Sequence, residues 1–256
     1  MKSEPGVSLI IPAWHEADRI GPTLEGYLFA LSHLGTPLEI IVVMDGVGDG
    51  TEHVVDRFAD RGVRKLVFPE KLGKGGAVLA GFRSARYNYL GYVDADGAVP
   101  PHELTKMVKL LEHSDCVVAS RWLRKSRVVR REPLFNIVAG RFYNFLVRSL
   151  LFLPVHDTQC GAKFLRREVA HHALNSTAIT NRAFEAWLLY HIQKSGGKIL
   201  EVPTEWSHDG RSRMPIGKAI PVMFLSLVGV RMMNSPMRKY MPRRLVKALG
   251  ARWRAV

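Results

Sequence analysis

Cysteine is scarce in this sequence of 256 residues: Cys116 and Cys160 are the only two, and they form no Cys-x-x-Cys pair. This scarcity argues against a disulfide framework or a zinc site and favours a reducing compartment. Long apolar runs are missing as well, since none reaches the ~20 residues that a membrane-spanning helix needs. Residues 1–5 lack the apolar stretch of a secretory signal. These absences predict a cytoplasmic, globular protein.

Acidic residues are absent after Asp209, whereas residues 211–254 contain eleven Lys or Arg, and residues 121–131 contain six more. Because the net charge of the chain is +14, these segments indicate an anionic partner: phosphate groups, a membrane surface or nucleic acid. For nucleic acid the basic segments offer few aromatic side chains on which bases could stack, namely Trp122, Tyr240 and Trp253. Nucleic-acid binding is therefore a remote alternative.

Short apolar segments alternate with helical segments over the first half of the chain. This order is typical of βαβ units and a mostly parallel sheet. The carboxyl ends of parallel strands meet at one edge, where open α/β sheets bind ligands. The strands predicted at 7–12, 38–44 and 90–93 are followed by Glu16, by Asp45 and by the pair Asp94 and Asp96. These carboxylates are therefore expected to share a cleft.

Asp94 and Asp96 follow a predicted strand at positions i and i+2, so both side chains can point to the same side. Two carboxylates suit Mg²⁺ or Mn²⁺, which prefer oxygen ligands and bridge to a substrate's phosphates. A solvated Asp-x-Asp-Gly turn is an equally ordinary use of these residues. The other carboxylates expected at the same edge favour the metal site.

Residues 73–76 form the glycine-rich segment Gly-Lys-Gly-Gly, which matches neither a P-loop nor a dinucleotide fingerprint. Gly75 and Gly76 at a helix start would let backbone N–H groups approach a phosphate, and Lys74 would add charge. Alternatively, these glycines only allow the helix to pack closely on the sheet. The lysines on both sides of Gly73 favour the phosphate interpretation.

Five segments resemble the inverting family 2 glycosyltransferases of the GT-A fold. They are residues 8–16 (SLIIPAWHE), 41–51 (IVVMDGVGDGT), 73–77 (GKGGA), 94–98 (DADGA) and 157–163 (DTQCGAK). Within the family the chain is most similar to dolichyl-phosphate β-glucosyltransferases and the related mannose synthases, and DADGA with DTQCG favours the glucosyl branch. The resemblance implies a Rossmann-like, mostly parallel sheet flanked by helices, a nucleotide-sugar donor, and Mg²⁺ or Mn²⁺ as cofactor.

The resemblance also implies roles for individual residues. Those expected to line the nucleotide-sugar pocket are Pro12, Ala13, Glu16, Asp45, Lys74, Asp94, Ala95 and Glu185. Asp96 and Asp157 are the candidate catalytic residues, and Asp157 either orients the acceptor, touches the sugar or only caps its loop. Those expected to bind the acceptor's phosphate are Arg121, Arg124, Arg131, Arg211, Ser212 and Arg213. The candidate metal ligands are Asp94, Asp96 and His208, and an exposed loop position is the alternative for His208.

Three positions depart from the family's pattern. Met44 stands where the family has the first Asp of an Asp-Asp pair, and His15 stands where it has Asn. Both changes affect how the base and ribose would be held. Ala98 stands where mannose synthases place a Gln that binds the metal, so a third ligand is expected elsewhere, with His208 as the candidate.

The expected reaction follows from the chemistry of these groups. A nucleotide sugar leaves as a diphosphate, whose developing charge needs a cation. A lipid phosphate is already ionised near neutral pH, because its second pKa is ~6, so it needs positioning arginines rather than a general base. We therefore expect glucose transfer from UDP-glucose onto a polyprenyl or dolichyl phosphate. A GDP-mannose-dependent mannose synthase and a soluble transferase with a saccharide acceptor and a carboxylate base stay open.

Residues 1–213 are predicted to form the glycosyltransferase domain, and residues 214–256 a basic, amphipathic segment that associates with membranes. Residues 219–230 are uncharged and too short to cross a bilayer. Flanked by Lys218 and Arg231, they predict a helix that lies on anionic lipid, with a buried core helix as the alternative. Residues 134–153 predict another amphipathic helix. The protein is expected to be peripheral on the cytosolic (inner) face of a membrane.

Overall fold

The computed structural model describes residues 4–46, 48–174, 183–210 and 216–235. Its strands are β1 (Glu4–Ala13), β2 (Leu38–Asp45), β3 (Val63–Phe68), β4 (Tyr87–Val93), β5 (Cys116–Ser120), β6 (Arg127–Arg130), β7 (Ala162–Arg166), β8 (Ile199–Pro203) and β9 (Glu205–Ser207). Its helices are α1 (Ile20–Ser32), α2 (Thr51–Asp56), α3 (Gly73–Ser84), α4 (Pro101–Leu110), α5 (Leu134–Leu151), α6 (Arg167–Leu174), α7 (Phe184–Lys194) and α8 (Ile216–Met233), with a 3-10 turn at Ala59–Arg61.

A seven-stranded sheet in the order β3-β2-β1-β4-β7-β5-β8 forms the centre of the described residues. Its strand pairs are parallel except for the two that β7 makes with β4 and β5. The predicted mostly parallel α/β sheet is therefore confirmed. Because β7 runs in reverse, its first residue, Ala162, pairs with Val93 at the end of β4. The loop that precedes β7, residues 157–161, thus reaches the same edge of the sheet as Asp94 and Asp96.

Helices cover both faces of the sheet because its central strands are apolar on both sides. Strand β2 illustrates this, since every residue from Glu39 to Asp45 is buried. One face packs against α1 and α4 through residues such as Leu24 and Leu104. The other face packs against α3, α5, α7 and α8 through residues such as Val78, Val147, Trp187 and Leu227. Both cysteines, Cys116 in β5 and Cys160 before β7, are fully buried free thiols.

Two glycines allow α3 to lie close to its neighbours. A Cβ atom at Gly81 would lie 2.6 Å from Ile10 of β1, and one at Gly75 would lie 2.6 Å from Phe184 of α7. A side chain at either position would therefore push α3 away from the sheet or from α7. For Gly75, close packing thus accounts for part of the glycine-rich segment.

Helix α8 contains residues 219–230, which the sequence predicted to form a helix on a membrane surface. Its Leu227 and Val230 are buried, whereas Phe224 and Leu225 are exposed. None of the helices within the described ranges is both long and apolar enough to cross a bilayer. The predicted domain boundary near residue 213 and the tail at 236–256 lie outside the described residues. The division at residue 213 and the membrane role of the C-terminal segment therefore stay predictions.

Candidate active site

The carboxylates predicted at the ends of β1, β2 and β4 meet at one edge of the sheet. Pro12 and Ala13 end β1, and the loop behind them carries Glu16. Burial raises the pKa of Glu16; the charge of Arg19 opposes this rise, and the charges of Asp96 and Asp94 add to it. The loops after β1 and β4 therefore face each other across a shared cleft.

Asp94 and Asp96 form the acidic centre of this cleft, with the buried Ala95 between them. The backbone N–H of Asp94 donates to the carbonyl of Gly161 at 3.0 Å, and the Asp96 carboxylate accepts the N–H of Ala98 at 3.0 Å. Burial raises the pKa of Asp96, and the charge of Asp94 raises it further. The hydrogen bond from Ala98 and the charges of Arg19 and Lys74 oppose this rise. Two ionised carboxylates in this position repel each other. A divalent cation between them would relieve that repulsion, so the pair fits Mg²⁺ or Mn²⁺.

Gly161 fixes the position of Asp94 from the opposite side. A Cβ atom at Gly161 would collide with the Asp94 carboxylate. The 157–161 loop can therefore lie against Asp94 only because residue 161 is glycine. This contact joins the loop before β7 to the acidic pair after β4.

Lys74 is the cation that neutralises part of this acidic centre. Its Nζ lies 2.7 Å from a carboxylate oxygen of Asp94 and 2.7 Å from one of Glu185, which is buried at the start of α7. Burial alone would lower the pKa of Lys74, but the charges of Asp94 and Glu185 raise it instead. The structure thus brings together three residues that the sequence predicted for the donor pocket.

Asp45 uses its carboxylate to hold the start of α3. The carboxylate accepts the backbone N–H of Leu72 and, at 2.9 Å, that of Gly73. An anion at a helix start satisfies N–H groups that have no partner within the helix. Asp45 therefore fixes the segment that carries Lys74, a role that the sequence did not predict.

Arg19 connects two loops of the site and was missed in the sequence. Its guanidinium donates to Glu16 through Nε at 2.7 Å and Nη2 at 2.6 Å, and to Asp209 through Nη1 at 2.9 Å. Burial opposes protonation of Arg19, but Asp209 and Glu16 raise its pKa. Arg19 thus ties the loop after β1 to the loop after β9. A single arginine three residues after Glu16 gave no signal of this long-range pair.

Asp157 is fully buried and bound to Arg121. The carboxylate accepts the backbone N–H of Arg121 at 3.0 Å, its Nε at 2.8 Å and its Nη2 at 3.0 Å. Burial would raise the pKa of Asp157, but the guanidinium of Arg121 lowers it below the usual carboxyl value. The third guanidinium nitrogen, Nη1, lies 3.3 Å from Glu132. The two predicted site residues, Asp157 and Arg121, therefore bind each other.

The remaining arginines predicted for the acceptor lie around strand β6. Arg124 and Arg131 are exposed on either side of it. Arg211, Ser212 and Arg213 lie outside the described residues. The structure therefore leaves Arg124 and Arg131 accessible to a phosphate, whereas Arg121 is engaged by Asp157 and Glu132.

His208 follows β9 and stacks on Trp206, with ring centroids 6.0 Å apart. Its backbone N–H donates to the carbonyl of Arg130 at 3.0 Å. Within the part of the chain that the structure describes, no three His, Cys, Asp or Glu side chains are grouped as a metal site needs. The geometry therefore gives no support to His208 as a third ligand beside Asp94 and Asp96.

A buried polar cluster behind the acidic pair was also missed. Lys163 is fully buried in β7, and its Nζ donates to the carbonyl of Cys160 at 2.8 Å and lies 5.3 Å from the ring centroid of Tyr92. Burial lowers the pKa of Lys163, and the charge of Glu185 opposes that shift. The hydroxyls of Tyr92 and Tyr143 are buried with no hydrogen-bond partner among the described residues. The signal in the sequence was a lysine inside an apolar strand.

Trp14 is the exposed aromatic residue of the cleft. Its side chain is 47% exposed after the end of β1, beside Gly46 at the end of β2. The ammonium of Lys71 lies 4.4 Å from the ring centroid. An accessible indole beside a lysine offers a flat surface for a nucleotide base.

The model of the family described as "Glycosyl transferase family 2" matches residues 8–174, more than half of the sequence. The chain belongs to glycosyl transferase family 2. This assignment confirms the resemblance predicted from the five motifs.

Curated relatives support the same assignment. A dolichyl-phosphate beta-glucosyltransferase of Trichomonas vaginalis is 33% identical over 242 residues, which cover 89% of this chain and 71% of the relative. One of Dictyostelium discoideum is 31% identical over 231 residues, which cover 84% and 70%. Glycosyltransferase AglD of Haloferax volcanii is 33% identical over 221 residues, which cover 84% of this chain but 35% of that protein. The chain thus spans about a third of the length of AglD.

Solved structures share the fold. Mannosyl-3-phosphoglycerate synthase from Rubrobacter xylanophilus matches with a TM-score of 0.66 and 19% identity, covering 94% of this chain and 80% of that one. Glucosyl-3-phosphoglycerate synthase from Mycobacterium tuberculosis, solved with Mn²⁺ and UDP-glucose, matches with a TM-score of 0.61 and 18% identity, covering 89% and 78%. At these identities the likeness shows the fold alone. It confirms the predicted GT-A fold.

Proposed function

We propose that this protein transfers glucose, with inversion, from UDP-glucose to the phosphate of a polyprenyl or dolichyl phosphate. The proposal is supported by the family and by relatives named dolichyl-phosphate beta-glucosyltransferase. The observation that carries it is the acidic pair Asp94 and Asp96. The two carboxylates repel each other, and this repulsion contributes to the raised pKa of Asp96. A divalent cation bound together with a diphosphate would relieve it.

Asp94 and Asp96 are the residues that would hold Mg²⁺ or Mn²⁺. Their carboxylates would supply oxygen ligands of the kind that these ions prefer. When bound, the ion neutralises charge on the leaving diphosphate. The chain itself holds this site in shape, because Lys74 pairs with Asp94 and Gly161 leaves room for its carboxylate.

The donor's nucleoside is proposed to lie over the loop after β1. Trp14 offers an exposed ring for the base, and Glu16, held in place by Arg19, offers a carboxylate to the ribose hydroxyls. Lys74 adds positive charge near the diphosphate. Asp45 contributes indirectly, because its hydrogen bonds to the start of α3 position Lys74.

The acceptor end favours a phosphate over a sugar hydroxyl. A hydroxyl acceptor needs a general base, and Asp157 is a poor one because Arg121 lowers its pKa and occupies both its oxygens. A phosphate monoester is already ionised near neutral pH, so it needs cations instead. We assign that role to the exposed Arg124 and Arg131, together with Arg211 and Arg213, while Ser212 would add a neutral hydroxyl donor. A polyprenyl-phosphate acceptor is therefore favoured over the saccharide acceptor of a soluble transferase.

The proposed place of action is the cytosolic surface of an anionic membrane, with the protein bound peripherally. The acceptor is an amphiphile whose phosphate lies at the headgroup level. The eleven Lys or Arg of residues 211–254 suit such a surface.

A transfer assay tests the proposal. Purified full-length protein is incubated with a polyprenyl phosphate, Mn²⁺ or Mg²⁺, and labelled UDP-glucose or GDP-mannose, with EDTA as the control. We expect metal-dependent glucose label in the lipid fraction, in a product whose phosphodiester is stable to phosphatase. If the lipid fraction contained label from GDP-mannose and none from UDP-glucose, GDP-mannose would replace UDP-glucose as the proposed donor. Label on an added saccharide but none in lipid would overturn the acceptor.

A further inference from the structure

Helix α5 is apolar on two opposite faces. One face is buried against the core and includes Tyr143, Val147 and Leu151. The other carries large apolar side chains that are between 54% and 76% exposed, namely Leu134, Phe135, Val138, Phe142 and Phe145, with Phe152 just after the helix. The steps from 138 to 142, 145 and 152 keep these residues on one side of a helix with 3.6 residues per turn. We call these six residues the exposed apolar face.

This face is unusual for a protein surface. Single exposed apolar side chains are normal, but a row of aromatic ones along ~27 Å of helix marks an interaction site. The end of helix α8 meets this face, because Arg231 lies over the ring of Phe152, 5.2 Å from its centroid, and the neighbouring Met232 is exposed. The exposed apolar face therefore borders the end of a second helix.

The charged residues of α5 and α8 are all positive. Neither α5 nor α8 contains an acidic residue. Arg141 and Arg148, seven residues apart, are exposed along one edge of the face, and Arg231 lies at its end. Arginine keeps its charge in water while its stem lies along apolar surface. Large apolar side chains bordered by cations are what anionic lipid headgroups and the acyl chains beneath them bind.

We infer that the exposed apolar face of α5 docks on an anionic lipid bilayer, with its phenylalanines below the headgroups and its arginines at the phosphates. The inference deepens the proposed function and rests on it for the identity of the acceptor. The surface is distinct from residues 219–230, to which the sequence assigned membrane contact.

The buried side of α5 connects this surface to the active site. Asn144 accepts the backbone N–H of Thr158 at 2.9 Å and its hydroxyl at 2.6 Å. Thr158 follows Asp157 in the 157–161 loop, whose Gly161 lies against Asp94. A bilayer bound by one side of α5 is therefore held in a fixed relation to the loop bound by the other side. Docking would set the depth at which a lipid phosphate enters the cleft that contains Asp94 and Asp96.

Vesicle flotation tests the inference with full-length protein. Vesicles of phosphatidylcholine, alone or mixed with phosphatidylglycerol, are combined with wild type, with Phe142→Ser/Phe145→Ser, and with Phe29→Ser. Phe29 is the matched control, because it is similarly exposed but lies on α1. We expect wild type to float with the anionic vesicles and the double variant to lose about tenfold or more of the binding that persists in high salt. Phe29→Ser should bind like wild type, and all three should have the same melting temperature.

Each other outcome is informative. Equal salt-resistant binding by wild type and the double variant overturns the inference, as does a wild type that floats with neither vesicle. A wild-type dimer that the double substitution dissociates, with no change in flotation, would assign the face to a second copy of the chain.

An assay with a short, water-soluble polyprenyl phosphate separates this inference from the proposed function. The double variant should turn over this acceptor as wild type does, because neither Phe142 nor Phe145 is among the residues placed in the active site. If neither protein transfers glucose while flotation still depends on the face, the docking stands and the proposed function fails.

Discussion

Asp96 and Asp157 lie at the same edge of the sheet, and their pKa values are shifted in opposite directions. Burial raises the pKa of Asp96, and the charge of Asp94 adds to the rise. Asp157 is the more deeply buried of the two, yet its pKa is lowered, because Arg121 binds both of its oxygens. The charge of the neighbouring side chain, rather than the depth of burial, therefore decides whether the pKa of the carboxylate is raised or lowered.

The difference separates a site that needs a ligand from one that is complete. Asp94 is paired with Lys74, which is also bound to Glu185, and Asp96 forms no ion pair within the part of the chain that the structure describes. Asp157 is held by the guanidinium of Arg121, which contributes two of the carboxylate's hydrogen bonds. Pairs of carboxylates without enough neighbouring cations to neutralise them are typical of functional sites. A buried carboxylate whose charge is neutralised by an arginine instead holds two segments of the chain together.

The largest effect is expected from Asp96→Asn. Removal of this carboxylate should reduce transfer by roughly 10³-fold, by analogy with the loss of one preorganised charge-stabilising group. The melting temperature without metal should stay the same or rise, because the folded state disfavours the ionised Asp96. Mn²⁺ should raise the melting temperature of wild type but not of the variant. Asp18→Asn, on the exposed surface nearby, is the control. A variant that keeps wild-type turnover would remove Asp96 from the site.

Asp157→Asn should affect stability first. Breaking a buried ion pair from one side costs about 3 to 5 kcal/mol of unfolding free energy, measured by urea denaturation. The double variant Arg121→Gln/Asp157→Asn should lose less than the sum of the single losses. Additive losses would contradict the pairing.

The same pair predicts a pH dependence of stability. Because the folded-state pKa of Asp157 is lowered, its contribution is complete above the ordinary carboxyl value of 3.8 and is lost as the pH falls below that value through the folded-state pKa. Urea denaturation at a series of pH values should therefore show wild type approaching Asp157→Asn below ~pH 4. A constant difference between the two proteins down to low pH would be the opposite result.

Lys74→Met should combine the two kinds of effect. It leaves the buried Glu185 without its cation and removes a charge that holds down the pKa of Asp96. We expect lower stability and about 10²-fold slower transfer. Adding Glu185→Gln should restore the melting temperature but not the transfer rate. Recovery of both would mean that Lys74 is only structural.

The smallest effect is expected from His208→Ala. Its ring stacks on Trp206, and the geometry does not group it with the acidic pair. Metal affinity, measured by titration of Mn²⁺, should change by less than about threefold, whereas loss of a true ligand exceeds the 10- to 100-fold change typical of an outer-shell partner. A loss of more than about 100-fold would restore His208 as a ligand.

Local patterns predicted the elements that carry the acidic pair. Apolar runs marked β1, β2 and β4, and the residues behind them gave Glu16, Asp45, Asp94 and Asp96, which do share one edge of the sheet. Strands of this kind can be recognised in the sequence because burial on both faces requires a nearly continuous apolar run. The reversed direction of β7 was not predicted, because an apolar run is the same in either direction.

Long-range pairs could not be predicted either. Arg121 and Asp157 are 36 residues apart, and Arg19 and Asp209 are 190 apart. Each side chain alone has the chemistry of a substrate-binding residue, and only the fold shows that its partner is another part of the chain. Motifs gave the family, and geometry was needed to distinguish the poised carboxylates from the satisfied one.

The burial of both cysteines gives the protein an intrinsic probe of its own motions. Burial raises the pKa of the thiols of Cys116 and Cys160 to about 12, so alkylating reagents meet no accessible thiolate in the folded state. Labelling then has to wait for an opening event. Cys160 lies in the 157–161 loop, and Cys116 lies within the sheet. The ratio of their labelling rates would therefore report how often the loop opens while the rest of the domain stays folded.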